Sequence, residues 1–140
     1  MMSISKFDIA HMKAAEVYAQ LSRDPHTKVG CVLVKDNYVI ATGYNGTPRG
    51  HDNATKDMNG KTLPTVIHAE MNAISQAARS TVSTIGAVAY TTMHPCFTCA
   101  IHLYQAGITK VYYKHTNKHS IQFEGVIYES INEDDRLSQT

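Results

Sequence analysis

Two short stretches constrain this chain more than anything else in it: His68-Ala69-Glu70, answered further along by Pro95-Cys96-Phe97-Thr98-Cys99. One imidazole and two thiols offer three soft donors to a zinc ion, and cysteines one helical turn apart can aim both sulfurs at one metal. Three protein ligands leave the fourth tetrahedral position open to water, as in catalytic rather than closed structural sites. Water on such a zinc ionises near neutral pH. Glu70 lies two residues from a ligand and is not needed to complete the ligand count, which makes it the candidate proton carrier.

Both stretches read as helix beginnings. Residues 66–80 are expected to be helical, with His68 and Glu70 in the first turn and Ala69, Ala73, Ala77 and Ala78 allowing close packing on a sheet. Pro95 is expected at the first position of the next helix, where a missing amide is harmless, and Gly107 ends that helix. The partial positive charge of the helix start favours the two thiolates. His94 flanks the site as a supporting residue. His102, a turn beyond Cys99, reads as an exposed or interface residue and not as a fourth ligand.

Around these helices the periodicity predicts an amphipathic helix over residues 7–22, capped by Ser5 and stopped by Pro25, with His11 solvated. Residues 29–35 and 38–43 read as strands joined by the two-residue turn Asp36-Asn37, hence antiparallel. Cys31 among the valines reads as a buried small side chain. Further strands are expected at 87–91, 110–113 and 125–130. The polar stretch 114–124 carries His115 and His119, read as loop histidines, one of which can face a phosphate. Residues 131–140 read as a fraying tail.

Gly43-Tyr44-Asn45-Gly46-Thr47-Pro48-Arg49-Gly50 follows a strand and packs three glycines and a proline into one loop. Such a loop is either an ordinary surface connection or an anion cradle, with glycine amides approaching closely and Arg49 pairing with phosphate. Residues 51–65 then read as a mobile flap leading to His68. Arg79 follows His68 by about three helical turns and so projects from a similar face. It is either a cation complementing the helix C-terminus or a functional group.

A chain of 140 residues, 43% hydrophobic and 18% charged, suits one globular domain over residues 1–140. No apolar run reaches membrane-spanning length and no signal-peptide core opens the chain, so a cytoplasmic protein without a membrane partner is expected. Two of its three cysteines are claimed by the metal, which argues against a disulfide framework. A net charge of +1 argues against a polynucleotide substrate.

The pattern H-x-E followed by P-C-x-x-C resembles the signature of the zinc nucleobase deaminases. From about residue 7 to residue 113 the order of elements resembles the cytidine deaminase-like fold. That likeness implies an α/β domain with three α/β/α layers around a central mixed sheet of four to five strands. Within that fold the chain is similar to the deoxycytidylate (dCMP) deaminases at Lys28-Val29-Gly30-Cys31, at the 43–50 loop, at His68-Ala69-Glu70-Met71-Asn72-Ala73-Ile74, at Pro95-Cys96-Phe97-Thr98-Cys99-Ala100 and at Gln105-Ala106-Gly107-Ile108.

The resemblance implies hydrolytic deamination of dCMP to dUMP. One catalytic zinc would sit on His68, Cys96 and Cys99, and Glu70 would carry protons to the pyrimidine N3 and then to the leaving ammonia. Asn45 is then expected at the sugar or base. His94, Pro95 and Tyr113 are expected around the substrate, with backbone groups of the Pro95 turn on the 4-amino group, and Arg79 at the substrate phosphate and a subunit contact. Gly43, Tyr44, Gly46, Thr47, Arg49 and Gly50 are expected to hold a triphosphate effector in a homohexamer, dCTP with magnesium activating and dTTP inhibiting.

Two departures accompany the likeness. No cysteine lies between the loop and His68, so no second, structural zinc is expected. The connection before Gly125 is near the minimum for a parallel crossover, so no full helix is expected in it. The same motif also suits a deaminase of cytidine, dCTP or tRNA adenosine, and a zinc-stabilised interaction domain without catalysis.

Overall fold

The valine-rich stretch after Gly30 forms the strand on which both helical layers rest. In the computed structural model, which describes residues 4–132, the elements in chain order are α1 (Lys6–Ala19), β1 (Gly30–Lys35), β2 (Tyr38–Tyr44), α2 (Ala69–Ala78), β3 (Val88–Met93), α3 (Phe97–Gln105), β4 (Lys110–His115) and β5 (Ile127–Ser130). The strands form one sheet in the order β2-β1-β3-β4-β5. β1 runs antiparallel to both β2 and β3, whereas β3, β4 and β5 are mutually parallel. The mixed five-stranded sheet between helical layers is the three-layer α/β/α architecture expected.

Strand alternation assigns the two faces. Val32 and Val34 of β1 turn toward α1 and pack with Met12, Ala15, Tyr90 and Tyr112. Cys31 and Leu33 turn the other way, against Ala69, Ala73 and Ala77 of α2 and Leu103 of α3. Small side chains bring the helices very close. A Cβ on Gly43 would lie 2.3 Å from the Ala69 carbonyl oxygen, and one on Gly30 would lie 2.0 Å from that of Ala15. The β1–β2 turn is the two-residue turn expected, with Asp36 and Asn37 at φ 51 and 66, the left-handed pair of a type I′ hairpin.

Several boundaries differ from the sequence reading. α1 stops at Ala19, well before Pro25, because Ser22 and Asp24 are recruited elsewhere. The Ser22 hydroxyl donates to the Asn45 carbonyl (2.8 Å), and the Asp24 carboxylate accepts from the His26 and Thr27 amides (both 2.9 Å). His11 is half-buried rather than solvated; its ring tilts against Tyr90 at 5.1 Å, and burial lowers its pKa. Pro95 precedes the N-cap of α3 instead of occupying its first turn, since Cys96 is the cap.

The 51–65 flap contains a built turn: Lys56 and Thr62 are bridged, and the Asp57 carboxylate accepts from the Asn59 and Lys61 amides. Between β4 and β5 there is no helix, as the short connection implied. The tail expected over 131–140 lies outside the described residues except for Ile131 and Asn132. Ile131 is buried in the α1-side core, and its amide donates to the Tyr113 carbonyl at 2.8 Å.

Candidate active site

His68 and Cys96 hold equivalent places, each the last extended residue before a helix, at φ −67 and −74. A side chain at that position commonly bonds back to its own helix. Neither does so here, which leaves both to turn toward each other. Cys96 Sγ lies 3.6 Å and Cys99 Sγ 3.3 Å from His68 Nδ1, and the three donor atoms lie within 4.8 Å of one another. Tetrahedral zinc with bonds of about 2.0–2.3 Å separates neighbouring N and S ligands by about 3.5 Å, so this trio fits the ion. Cys99 is 1% exposed. Burial first, then Glu70 and Cys96 beside it, push its thiol far above the ordinary range. A cation among the donors reverses that and favours thiolate. Cys31, fully buried in the sheet, stands outside the trio.

Glu70 sits in the first turn of α2 and is 4% exposed. Burial pushes its carboxyl up to about 7, against the opposing effect of its own backbone amide. Both protonation states are then accessible near neutrality, as a group that takes a proton and returns it requires.

His68, Glu70 and Cys96 open into a cavity of about 640 Å³ that Asn45 and His94 also line. Asn45 does structural work there. Its Oδ1 accepts from the Val29 amide (2.9 Å) and its Nδ2 donates to the Thr27 carbonyl (2.8 Å), which leaves one N–H and one lone pair for a ligand. His94 is 4% exposed, stacked on Tyr128 at 4.9 Å and edge-on to Tyr113 at 4.5 Å. Its Nδ1 faces the Pro95 carbonyl at 3.0 Å; that oxygen can only accept, so Nδ1 carries the hydrogen. Pro95 O also accepts from the Ile121 amide, which occupies both of its lone pairs, and His94 O accepts from Ser120. Among the described residues His94 O accepts this one hydrogen bond and keeps its second lone pair. Tyr113 supports His94 and does not line the cavity.

The structure does not bring Arg79 to this cavity. It lies at the far end of α2, at the cap, in a second cavity of about 520 Å³ with Gly43, Tyr44, Gly46, Thr47, Arg49 and Gly50. The helix expected over 66–80 runs only from Ala69 to Ala78, with His68 an extended N-cap and Arg79 the C-cap, so the helical spacing expected between the two does not hold. Conversely, Asp24, Thr27, Lys56, Asn117 and Lys118 line the first cavity without having been singled out, and His119 joins them. Asp24 next to Pro25 read only as a helix stop. It is 2% exposed and paired with Lys56 at 3.1 Å. Burial alone would raise its pKa, but the Thr27 and His26 amides and Lys56 outweigh that and hold it below the usual aspartate value.

The family model of the cytidine and deoxycytidylate deaminase zinc-binding region matches residues 5–115. The chain belongs to this family. A deoxycytidylate deaminase of Schizosaccharomyces pombe is 41% identical over 79% of this chain, which spans only 37% of that protein's length. One from Mycobacterium phage D29 is 33% identical, over 80% of this chain and 97% of the phage protein. The crystal structure of a dCMP deaminase from cyanophage S-TIM5, in complex with dCMP and dUMP, superposes with a TM-score of 0.87. It is 36% identical and covers 94% of this chain and 100% of the cyanophage chain. The family's zinc-binding region thus spans every element here that carries a donor, as well as Glu70.

Proposed function

We propose that this chain hydrolyses dCMP to dUMP and ammonia. The observation that carries this reading is a buried Glu70 next to a zinc donor trio, in a cavity large enough for a nucleotide and bearing Lys56, Lys118 and His119. The dCMP and dUMP complex of the cyanophage relative supports the same substrate. Zinc on His68, Cys96 and Cys99 would supply the Lewis acidity that makes water a nucleophile near neutral pH. Glu70 takes the proton of the attacking water and gives it to the pyrimidine N3. It then carries the hydroxyl proton left on C4 to the departing amino group as the C4–N bond breaks. Asn45 uses its remaining N–H and lone pair on the sugar or base. His94, held by Tyr113 and Tyr128, offers its carbonyl to the 4-amino group.

Control by dCTP with magnesium and by dTTP belongs to the same proposal, at the second cavity, where Arg49, Arg79 and the 43–50 amides supply anion-binding groups. Two contacts support a route between the cavities. Gly46 and Ile67 exchange backbone hydrogen bonds (3.0 and 2.8 Å), and Asn72 Nδ2 donates to the Tyr44 carbonyl (2.8 Å). A ligand on the loop therefore pulls on the residue before His68. Control requires each effector to prefer one state of that loop. We propose a homohexamer with Arg79 near a subunit boundary, acting in the cytoplasm. Among the described residues no helix is long and apolar enough to cross a membrane.

The deciding assay gives zinc-loaded protein dCMP, dCTP, cytidine and a tRNA in parallel. Fastest turnover on dCMP is expected; preference for cytidine or tRNA would replace this reading with another activity of the fold.

A further inference from the structure

The substrate proposed above is a monophosphate, and three cation-bearing elements compete to hold its phosphate. Arg49 and Arg79 are in the second cavity. Lys56 faces the first cavity, but its Nζ is committed to the buried Asp24 carboxylate (3.1 Å) and to the Thr62 hydroxyl (2.7 Å). Lys118 and His119 line the first cavity from the 117–121 loop, between β4 and β5. Among the described residues neither has an ion-pair partner.

That loop is also tightly built. The Asn117 side chain accepts from the His119 amide (2.8 Å), and the Ser120 hydroxyl accepts from the Asn117 amide (3.0 Å). The loop is then fastened to the catalytic turn. Ser120 Oγ donates to the His94 carbonyl (3.1 Å), the Ile121 amide donates to the Pro95 carbonyl (3.0 Å), and Ser120 is bridged to Cys96 itself. The loop bearing Lys118 and His119 and the turn presenting a metal donor are therefore two segments joined directly by hydrogen bonds.

Resting on the deaminase reading, we propose that the 117–121 loop is the phosphate-recognition element. Lys118 and His119 are its specificity-determining residues, and Ser120 is a positioning residue that transmits phosphate engagement to the His94–Cys96 turn. A charge-assisted bond from Lys118 and a ring N–H bond from His119 to a dianion hold the far end of the substrate. Binding energy from a remote group accelerates chemistry when it is realised in the transition state, so a substrate lacking that group loses kcat as well as affinity. The stitched loop supplies a path for that: a phosphate drawn onto Lys118 and His119 fixes Ser120, and Ser120 fixes the carbonyl of His94.

The experiment compares kcat and KM for dCMP and for deoxycytidine in the zinc-loaded wild type, Lys118→Ala/His119→Ala, Ser120→Ala, and Lys13→Ala as a charge-loss control on α1. Zinc content and the denaturation midpoint are measured on each. The double variant is expected to lose about a hundredfold in its preference for dCMP over deoxycytidine. Ser120→Ala is expected to lower kcat for dCMP with little change in KM, and by a larger factor than it lowers kcat for deoxycytidine. Inorganic phosphate, which should compete with dCMP and raise its KM in the wild type, should lose that effect in the double variant. A double variant that binds zinc, stays folded and keeps the wild-type preference overturns the phosphate assignment. Equal losses for both substrates in Ser120→Ala overturn the transmission. Wild-type protein that turns over no dCMP refutes the deaminase reading itself, a separate outcome.

Discussion

One cavity opens at the start of α2 and the other runs along the helix to Arg79; they are of comparable size, about 640 and 520 Å³, yet they are built from different materials. The first holds exposed His68, half-buried Cys96 and the buried Glu70 carboxylate, with walls from several separate stretches of chain that bring in the Asp24–Lys56 pair, Lys118 and His119. The second is made chiefly of one contiguous glycine loop and one face of α2, with two arginines and no carboxylate. The first has polar groups fixed before any ligand arrives, which suits chemistry. The second offers amides and arginines on a single loop, which suits holding an anion without reacting with it. A shared helix joins the two, and Gly43 sets how closely that helix sits on the sheet.

The largest effect that sharpens this contrast is expected at the donor end. Glu70→Ala should keep one zinc per chain while losing about 10³-fold or more in turnover, whereas His68→Ala and Cys99→Ala should lose zinc and turnover together. Metal analysis alongside initial rates reads both, and appreciable turnover in Glu70→Ala would sink its assignment.

Gly43→Ala tests whether the helix couples the cavities. A Cβ there meets the Ala69 carbonyl oxygen at 2.3 Å and the Ala73 nitrogen at 2.5 Å, so α2 must shift away from β2. A cost of about 1–3 kcal/mol in urea denaturation is expected, with both dCMP turnover and effector response impaired. A variant as stable and active as wild type would show that the close approach is not needed.

At the anion end, Arg49→Ala/Arg79→Ala should flatten the response of dCMP kinetics to dCTP with magnesium and to dTTP, each shifting half-saturation by severalfold less than in wild type. Full retention of both responses would place the effectors elsewhere.

The smallest effect concerns the wall carboxylate. Because Asp24 is held below the ordinary aspartate value, its contribution to stability is complete above about pH 4 and is lost as pH falls through its lower folded value. Asp24→Asn should cost about 1 kcal/mol at neutral pH and remove that part of the acid dependence of Tm. An unchanged Tm–pH curve would separate the Asp24–Lys56 pair from the rigidity of the cavity.

The sequence by itself determined the donor trio and Glu70, the two-residue hairpin turn at Asp36-Asn37 and the glycine loop. The physical reason is that each is local: a ligand two residues from a carboxylate, sulfurs one turn apart and a two-residue turn have geometries set by neighbouring φ and ψ. The boundaries that failed were those where a distant partner outbid local preference, as when Ser22 left the helix path to bond Asn45. Which basic side chains share a cavity with Glu70 was decided only by tertiary structure. Lys56, Lys118 and His119 come from segments with no periodic pattern. They meet because β1 pairs antiparallel with β3 while β4 and β5 run parallel to it, so that the flap and the β4–β5 loop arrive at the same end of the sheet as His68. Arg79 did not share a helical phase with His68, because His68 is the extended cap before α2 and lies outside the helix, and Arg79 lines the second cavity instead.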